Sequence, residues 1–410
     1  MHLNLLSSHE GQKKVKTSTI DSMNMYRRIR WAVSVVVHHG LLKVKRLIGI
    51  PIMLVYRERG IVRAEVQLQE DSSQKIAIIA AYPTTDPMYS LSLENLLKGL
   101  VANCYQVVFV SNCSVPATVE RLLSEYRCGV IARKNIGRDF GAYQAGLFFV
   151  EKNFNSESID RILLVNDTLI WFNDSSKIVS KSLEGDWNCL YLNLEYKSHA
   201  QSFYMSFSKE VIRSKSFKKF WARYIPLNSR IHAIAYGEQG LTTKLLDAGF
   251  ICKPYVNPSI FTEKVEIGIN EIQVLSELEI IDLVHWKGVP STTPESVKLQ
   301  RFKYEELRVG LFDESDHLEI GREIQSMLNT IESYIYSDGP HRVGLHLAIL
   351  FGIPIKLDMY KCYNITDLRK CLKICNSEIV DMASDYFLAK SQKYKNGSSK
   401  NIKLRNLGEI

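Results

Sequence analysis

Between residues 75 and 170, apolar runs of strand length alternate with longer segments of helical pattern. That alternation restricts the chain to an α/β fold built on a mainly parallel sheet flanked by helices. Ile76 to Tyr82 reads as a buried strand ending in a turn between Pro83 and Pro87. Leu91 to Asn103 is amphipathic, Val107 to Val110 is a second strand, and Ser111-Asn112-Cys113-Ser114 stops it. Val115 to Tyr126 is a second helix and Gly129 to Ile131 a third strand. A loop through Asn135 to Phe140, a helical segment and the strand Ile162 to Val165 follow. Parallel neighbours of this kind are joined by right-handed crossovers.

The alternation lapses between residues 171 and 290. Short strands (Cys189 to Leu194, Ser202 to Phe207) are mixed there with aromatic-rich helices, and Phe217, Phe220, Trp221 and Tyr224 have the spacing of a core-facing stripe. It returns after residue 300. Strands are expected at Arg308 to Phe312, Tyr334 to Tyr336 and Pro354 to Leu357, and helices at Leu318 to Glu332, Arg342 to Phe351 and Thr366 to Ile374. This gives three expected regions: a basic N-terminal extension over 1–74, an α/β domain over 75–295, and a small C-terminal α/β unit over 296–410 with a frayed tail.

The composition, 46% hydrophobic and 23% charged, is that of a globular protein. The net charge of +8 is concentrated at one end, because residues 1–60 hold eleven Lys and Arg against three acids. Nucleic-acid binders carry such charge on the folded domain, so no nucleic acid is expected as a partner. Residues 23–60 mix Arg27, Arg28, Arg30, Lys43, Lys45 and Arg46 with Trp31 and aliphatics, and no apolar run reaches the length of a membrane span. Two readings stand: a helix lying on an anionic membrane surface, or one packed on the protein with a solvated basic face. The first twenty residues lack the apolar core of a secretory signal. The eight scattered cysteines read as reduced thiols, and both features point to a cytoplasmic protein.

Four stretches carry candidate chemistry. The first, Asn135-Ile136-Gly137-Arg138-Asp139, is a loop whose backbone N–H groups and arginine suit a phosphate. Its alternative is a local Arg138–Asp139 ion pair. In the second, Asn166-Asp167-Thr168 ends an apolar strand and so places Asp167 at the carboxyl edge of the sheet, where α/β sheets bind ligands. A divalent cation there, Mg²⁺ or Mn²⁺, could bridge a diphosphate. Asp167 is equally a common turn residue. Third, Glu238, in Tyr236-Gly237-Glu238-Gln239, is expected at the start of a helix stopped by Gly249, a placement that favours a carboxylate and suits a base for an acceptor hydroxyl. Helix-start stabilisation is the plainer alternative. Fourth, His199, Gln201 and Ser202 precede an aromatic strand and could hold sugar hydroxyls, or form a turn. The late His285-Trp286 could complete a metal shell with Asp167, touch a diphosphate, or be a packed histidine. Nucleotide phosphate loops, dinucleotide fingerprints, hydrolase elbows and zinc spacings are all absent.

Taken in order, Asn135-Ile-Gly-Arg-Asp-Phe-Gly-Ala-Tyr143, Leu164-Val-Asn-Asp-Thr168, His199-Ala-Gln-Ser202 and Tyr236-Gly-Glu238 with Gly249 resemble the rhamnan synthesis protein F family over residues 75–290. These are bacterial glycosyltransferases of cell-surface polysaccharide assembly. The order is also similar to GT-A glycosyltransferases. By that resemblance Asn166 and Asp167 stand at the metal-binding acids and Glu238 at the base. Asn-Asp-Thr replaces the usual D-x-D, and Glu238-Gln239 the usual Glu-Asp. The resemblance implies a sugar-nucleotide donor, dTDP-rhamnose, and a lipid-linked or growing glycan acceptor such as O-antigen, handled at the cytoplasmic membrane face. It implies donor contacts at Asn135, Gly137, Arg138, Asp139, Asn166 and Asp167, and acceptor or sugar contacts at His199, Gln201 and Ser202. Inversion follows if Glu238 deprotonates the acceptor. Ser337-Asp-Gly-Pro-His341 resembles a fragment of GT-B or pyruvyltransferase donor domains, so a second activity in the C-terminal unit is an alternative. A non-catalytic glycan-assembly component is another.

Overall fold

The computed structural model describes residues 61–65, 74–155, 157–194, 197–257 and 260, then 331, 334–336, 339–359, 365–375, 382 and 386–388, together with Gly40 and Val44. The chain divides into two compact units, Met1–Ile48 with Asp282–Glu306 and Gly49–Ile281 with Leu307–Ile410. Apart from Gly40 and Val44, every described residue lies in the second. The expected membrane-surface helix, apart from Gly40 and Val44, and His285 fall outside the described residues, as do the strand at 308–312 and the boundary near 295.

In chain order the strands are β1 (Ile61–Glu65), β2 (Gln74–Ala81), β3 (Tyr105–Ser111), β4 (Gly129–Arg133), β5 (Ile159–Asn166) and β6 (Leu169–Ile170), then β7 (Trp187–Cys189), β8 (Leu192–Asn193), β9 (His199–Ala200), β10 (Tyr204–Ser208), β11 (Cys252–Pro254) and β12 (Ile355–Lys356). Eight of them form one sheet in the order β1-β4-β3-β2-β5-β10-β7-β11. The central run β4-β3-β2-β5 is parallel throughout. β1 closes one edge antiparallel, β10 runs antiparallel between β5 and β7, and β11 pairs parallel with β7. The α/β class and the mainly parallel sheet are those the alternation predicts. From β2 the chain first builds outward through β3 and β4, then returns to add β5 on the other side. The strand order therefore reverses between β2 and β5, the position where such sheets open a crevice.

Burial on both faces explains why the central strands read as unbroken apolar runs. Along β2, Ala77, Ile79 and Ala81 enter one core and Ile76, Ile78 and Ala80 the other, the two-residue period of a strand. The first core takes Leu93, Leu96, Leu97 and Leu100 from helix α1 (Pro87–Ala102), with Val119 and Leu123 from α2 (Ala117–Glu125). The second takes Phe140, Tyr143 and Leu147 from α3 (Arg138–Asn153) and the Phe217, Phe220, Trp221 and Tyr224 stripe. That stripe is core, as its spacing predicts. α1 begins four residues earlier than its apolar pattern indicates, because Asp86 Oδ1 accepts from the Met88 N–H at 3.0 Å and Pro87 occupies the first turn.

Two expectations need correcting. Cys189 to Leu194 is not one strand: β7 ends at Cys189, and Leu192–Asn193 turns away to pair with His199–Ala200. Tyr334 to Tyr336 is not a strand either. Tyr334 is helical and the next two residues form a turn, since Ile331 and Ile335, four apart, both bury in the first core. The C-terminal residues lie in the same compact unit as the sheet. β12 pairs antiparallel with β6, and Leu345, Ala348, Met359, Leu368 and Phe387 enclose Met88, Ile170 and Phe172 in a third core. The seven described cysteines are free thiols.

Candidate active site

Asp167 sits where β5 ends beside β2. Its backbone N–H donates to the Ala80 carbonyl at 3.2 Å, continuing the strand pairing by one residue. Its Oδ2 then accepts from the Tyr82 N–H at 2.6 Å and from the Tyr89 hydroxyl at 3.3 Å. Burial pushes the carboxyl up to about 7; the Tyr82 N–H pulls it down and the charge of Asp139 pushes it further up. The Tyr82 side chain, 56% exposed, lies at the same edge.

Asn166 is a bridge. Its Nδ2 donates to Asp139 Oδ2 at 2.6 Å, and its Oδ1 accepts from the Thr168 N–H at 3.1 Å and the Thr168 hydroxyl at 2.6 Å. The buried amide thus ties Asp139 to Thr168, with one of its two N–H donors and its Oδ1 engaged.

The loop after β4 is tightly held. Gly137 (φ 82°) and Arg138 (φ 54°) are both left-handed, and a Cβ on Gly137 would run into Pro226. Asn228 clamps the loop: its Oδ1 accepts from the Gly137 N–H at 2.5 Å and its Nδ2 donates to the Asn135 carbonyl at 3.0 Å. Arg133 braces it from behind, with bonds to Asn112 Oδ1 at 2.6 Å and the Ile136 carbonyl at 2.8 Å. The Gly137 N–H is therefore engaged, contrary to the expectation that it receives a phosphate. The side chains of Asn135 and Arg138 remain exposed at the mouth. No Arg138–Asp139 ion pair forms among the described residues; Asp139 turns to Asn166 instead.

Glu238 is not at a helix start. The chain is helical from Arg230 to Asp247, and Ala233–Glu238 form a π-helical turn between Arg230–His232 and Gln239–Asp247. Such turns recur at functional sites because the extra residue displaces a side chain from the regular ladder. Gly237 lies against Phe140, and a Cβ there would be 2.6 Å from the ring. Glu238 Oε1 accepts from the Ser202 N–H at 2.8 Å, and Oε2 lies 3.7 Å from His199 Nε2. His199 Nδ1 is 2.7 Å from the Lys197 carbonyl, which can only accept, so that nitrogen carries the proton and Nε2 faces Glu238. The Tyr143 hydroxyl donates to the Ser202 carbonyl at 2.8 Å, and Gln201 Oε1 is buried without a partner.

The two groups meet at Tyr143. Burial raises its hydroxyl far above the ordinary range, and the charges of Asp139, Asp167 and Glu238 all add to that. Three carboxylates therefore act on one buried tyrosine, one helical turn along from Asp139. Four further participants had no sequence signal: Tyr82, Tyr89, Asn228 and Lys356, the last with its ammonium 3.2 Å from Thr168 Oγ1. Asn228 and Lys356 reach the site from elements far along the chain, and spacing within a motif cannot reveal such partners.

Among the described residues no group of three or more His, Cys, Asp or Glu could hold a metal ion. Asp139 and Asp167 each use Oδ2 in the bonds above, which leaves Oδ1 of each. One or two carboxylates with substrate phosphates are what Mg²⁺ takes, so this pair fits a cation that arrives with a diphosphate.

Fold and site define an α/β protein with Asp139 and Asp167 gathered at the point where its strand order reverses. The sequence matches the model of the family described as rhamnan synthesis protein F over residues 107–275, the stretch from β3 through the Glu238 turn. That is the family its motifs resemble. The chain is 28% identical over 237 residues to an uncharacterized protein, y4gN, of Sinorhizobium fredii, covering 54% of this chain and 61% of that protein. It is 30% identical over 154 residues to virulence protein VirA of Vibrio anguillarum, covering 37% of this chain and 48% of that one. It thus spans between about half and three-fifths of these relatives. Similar solved structures include mannosyltransferase PcManGT from Pyrobaculum calidifontis in complex with GDP-Man and Mn²⁺, 10% identical, with 92% of this chain and 95% of that one covered and a TM-score of 0.33. The apo glycosyltransferase GlyE of Streptococcus pneumoniae is 14% identical, with 45% of each chain covered and a TM-score of 0.27.

Proposed function

We propose that this chain is a glycosyltransferase that moves a sugar from a nucleoside diphosphate donor to a growing cell-surface glycan. The observation that carries this reading is that, where the strand order reverses, Asn166 joins Asp139 to the end of β5 beside Asp167, and Ser202 joins Glu238 to Tyr143. The family match supports it, since residues 107–275 include all three carboxylates. Tyr82 offers a flat exposed face for the base, and Asn135 and Arg138 line the mouth for ribose and phosphate. A divalent cation on Asp139 and Asp167 would neutralise diphosphate charge when bound.

Glu238 acts as the base. The Ser202 N–H fixes one of its oxygens, and the other takes the proton of the acceptor hydroxyl. The acceptor oxygen attacks the anomeric carbon from the side opposite the diphosphate, which inverts the configuration. His199, Gln201 and Ser202 hold sugar hydroxyls beside it, and the unpartnered Gln201 Oε1 is available for one. The donor is dTDP-rhamnose and the acceptor a lipid-linked or growing glycan, by the rhamnan-family resemblance. The enzyme works at the inner face of the cell membrane, held there by residues 23–60.

The test is release of nucleoside diphosphate by purified protein from dTDP-rhamnose, UDP-galactose and GDP-mannose, with glycan acceptor and Mg²⁺ or Mn²⁺. Release from dTDP-rhamnose alone supports the full reading. Release from another donor keeps the enzyme and replaces the sugar. No release and no binding of any of the three overturns the glycosyltransferase reading.

A further inference from the structure

Lys356 belongs to no motif, yet the sheet carries it into the site. Antiparallel pairing sets Ile355 opposite Ile170 and Lys356 opposite Leu169, and the Leu357 N–H donates to the Thr168 carbonyl at 2.7 Å. This register fixes the lysine beside Asn166-Asp167-Thr168. Its Nζ donates to Thr168 Oγ1 at 3.2 Å and stands 4.3 Å from the centroid of the Phe203 ring. Burial, with Arg230, lowers the pKa of the ammonium, and the charges of Asp358, Asp139 and Glu238 partly offset that.

An ammonium has three N–H donors. Thr168 is the one described hydrogen-bond acceptor of Lys356, and an aromatic face covers another side. The β12–β6 pairing is carried by backbone bonds and does not need the charge. A half-buried cation with donors to spare, at the carboxyl end of β5 beside Thr168, is set up to receive an anion.

We propose that Lys356 is a donor-binding residue whose ammonium holds the diphosphate of the sugar nucleotide. The inference rests on the glycosyltransferase reading and names the side chain that meets the leaving group. During transfer the bond between the anomeric carbon and the diphosphate oxygen breaks, and its electron pair stays on that oxygen. The acceptor oxygen forms the new bond, and its proton passes to Glu238. Negative charge grows on the diphosphate, and an ammonium placed there stabilises it most as the bond breaks.

Calorimetric titration of dTDP, UDP and GDP into the wild-type protein, Lys356→Met and Lys356→Arg, in EDTA and in Mg²⁺, decides the matter. Wild type should bind at least one nucleotide even in EDTA. Lys356→Met should bind it about tenfold to a hundredfold more weakly, and Lys356→Arg should restore most of the loss. Undiminished binding by Lys356→Met overturns the proposal and leaves the glycosyltransferase reading standing. A wild type that binds none of the three nucleotides in either buffer overturns that reading itself. Should Lys356→Met fail to fold, amine acetylation of the wild-type protein read by mass spectrometry serves instead. Bound nucleotide should protect Lys356, and equal labelling with and without it overturns the proposal.

Discussion

Asp167 is held in an environment that disfavours its charge. Its carboxyl rises from the ordinary 3.8 to about 7, chiefly through burial. Below about pH 4 it is protonated folded and unfolded alike. As pH rises toward 7 the unfolded chain gives up the proton first, so stability falls, and the full penalty holds above 7. Asp167→Asn keeps an acceptor for the Tyr82 N–H and carries no charge. In EDTA it should unfold at higher denaturant than wild type at pH 8, by up to ~4 kcal/mol, with the gain shrinking toward pH 4. It should also lose transfer activity. An equal gain at both pH values would show that burial of the charge is not the cause. Glu238→Gln is the matching test of chemistry, since it keeps the acceptor for Ser202 and removes the proposed base. Turnover should fall by at least ~10²-fold with donor affinity unchanged. A comparable loss of donor affinity in titrations would move Glu238 to the donor site.

The π-helical turn decides where Glu238 points, and Gly237 is the residue that lets it pack. Phe140 is fixed by Tyr143, Phe220, Trp221 and Tyr224, with ring centroids 5.2 to 6.5 Å away, and has no room to retreat. Gly237→Ala should destabilise the fold by roughly 1–3 kcal/mol and lower turnover beyond that, because relief of the clash moves the turn that carries Glu238. Gly240→Ala is the contrast. Its Cβ would meet Phe220 at 3.5 Å, an ordinary contact, and alanine is the better helix former, so stability should rise by up to ~1 kcal/mol. Denaturant melts of both variants compare the two positions directly. Loss of stability in both would mean that helix context, not the Phe140 contact, sets the tolerance.

In the whole molecule the C-terminal segment packs against Met88, Ile170 and Phe172 and brings Lys356 beside Thr168. A chain ended at residue 330 loses β12 and Lys356 and uncovers Met88, Ile170 and Phe172, which are nearly inaccessible in the full chain. Its melting temperature should drop and dye binding to exposed apolar surface should rise. Unchanged melting would make the segment a separable unit, as the sequence pattern indicates. No helix among the described residues is long and apolar enough to cross a membrane. The basic residues of 23–60 would each contribute on the order of 1 kcal/mol at an anionic surface, weakened by salt. Deleting residues 1–60 should release the protein from anionic vesicles in co-sedimentation while sparing activity on a soluble acceptor. Equal sedimentation of both forms would remove the membrane role.

The sequence by itself determined the sheet and its carboxyl edge. β2, β3 and β5 are buried on both faces, and only an unbroken apolar run satisfies that. A strand-end Asp then falls at the edge by construction. The aromatic stripe at Phe217 to Tyr224 was legible for the same reason, because helical period and burial are local properties. Tertiary structure alone decided what each polar group does. Asn166 serves Asp139 and Thr168, the Gly137 N–H is taken by Asn228, and Glu238 rides a π turn where the pattern indicates a helix start. Lys356 arrives from a strand 188 residues after Thr168. Hydrogen bonds and charges act over a few ångströms of space. Their partners depend on which distant segments the packing of the apolar faces brings together, and that is not written in the spacing of any one stretch.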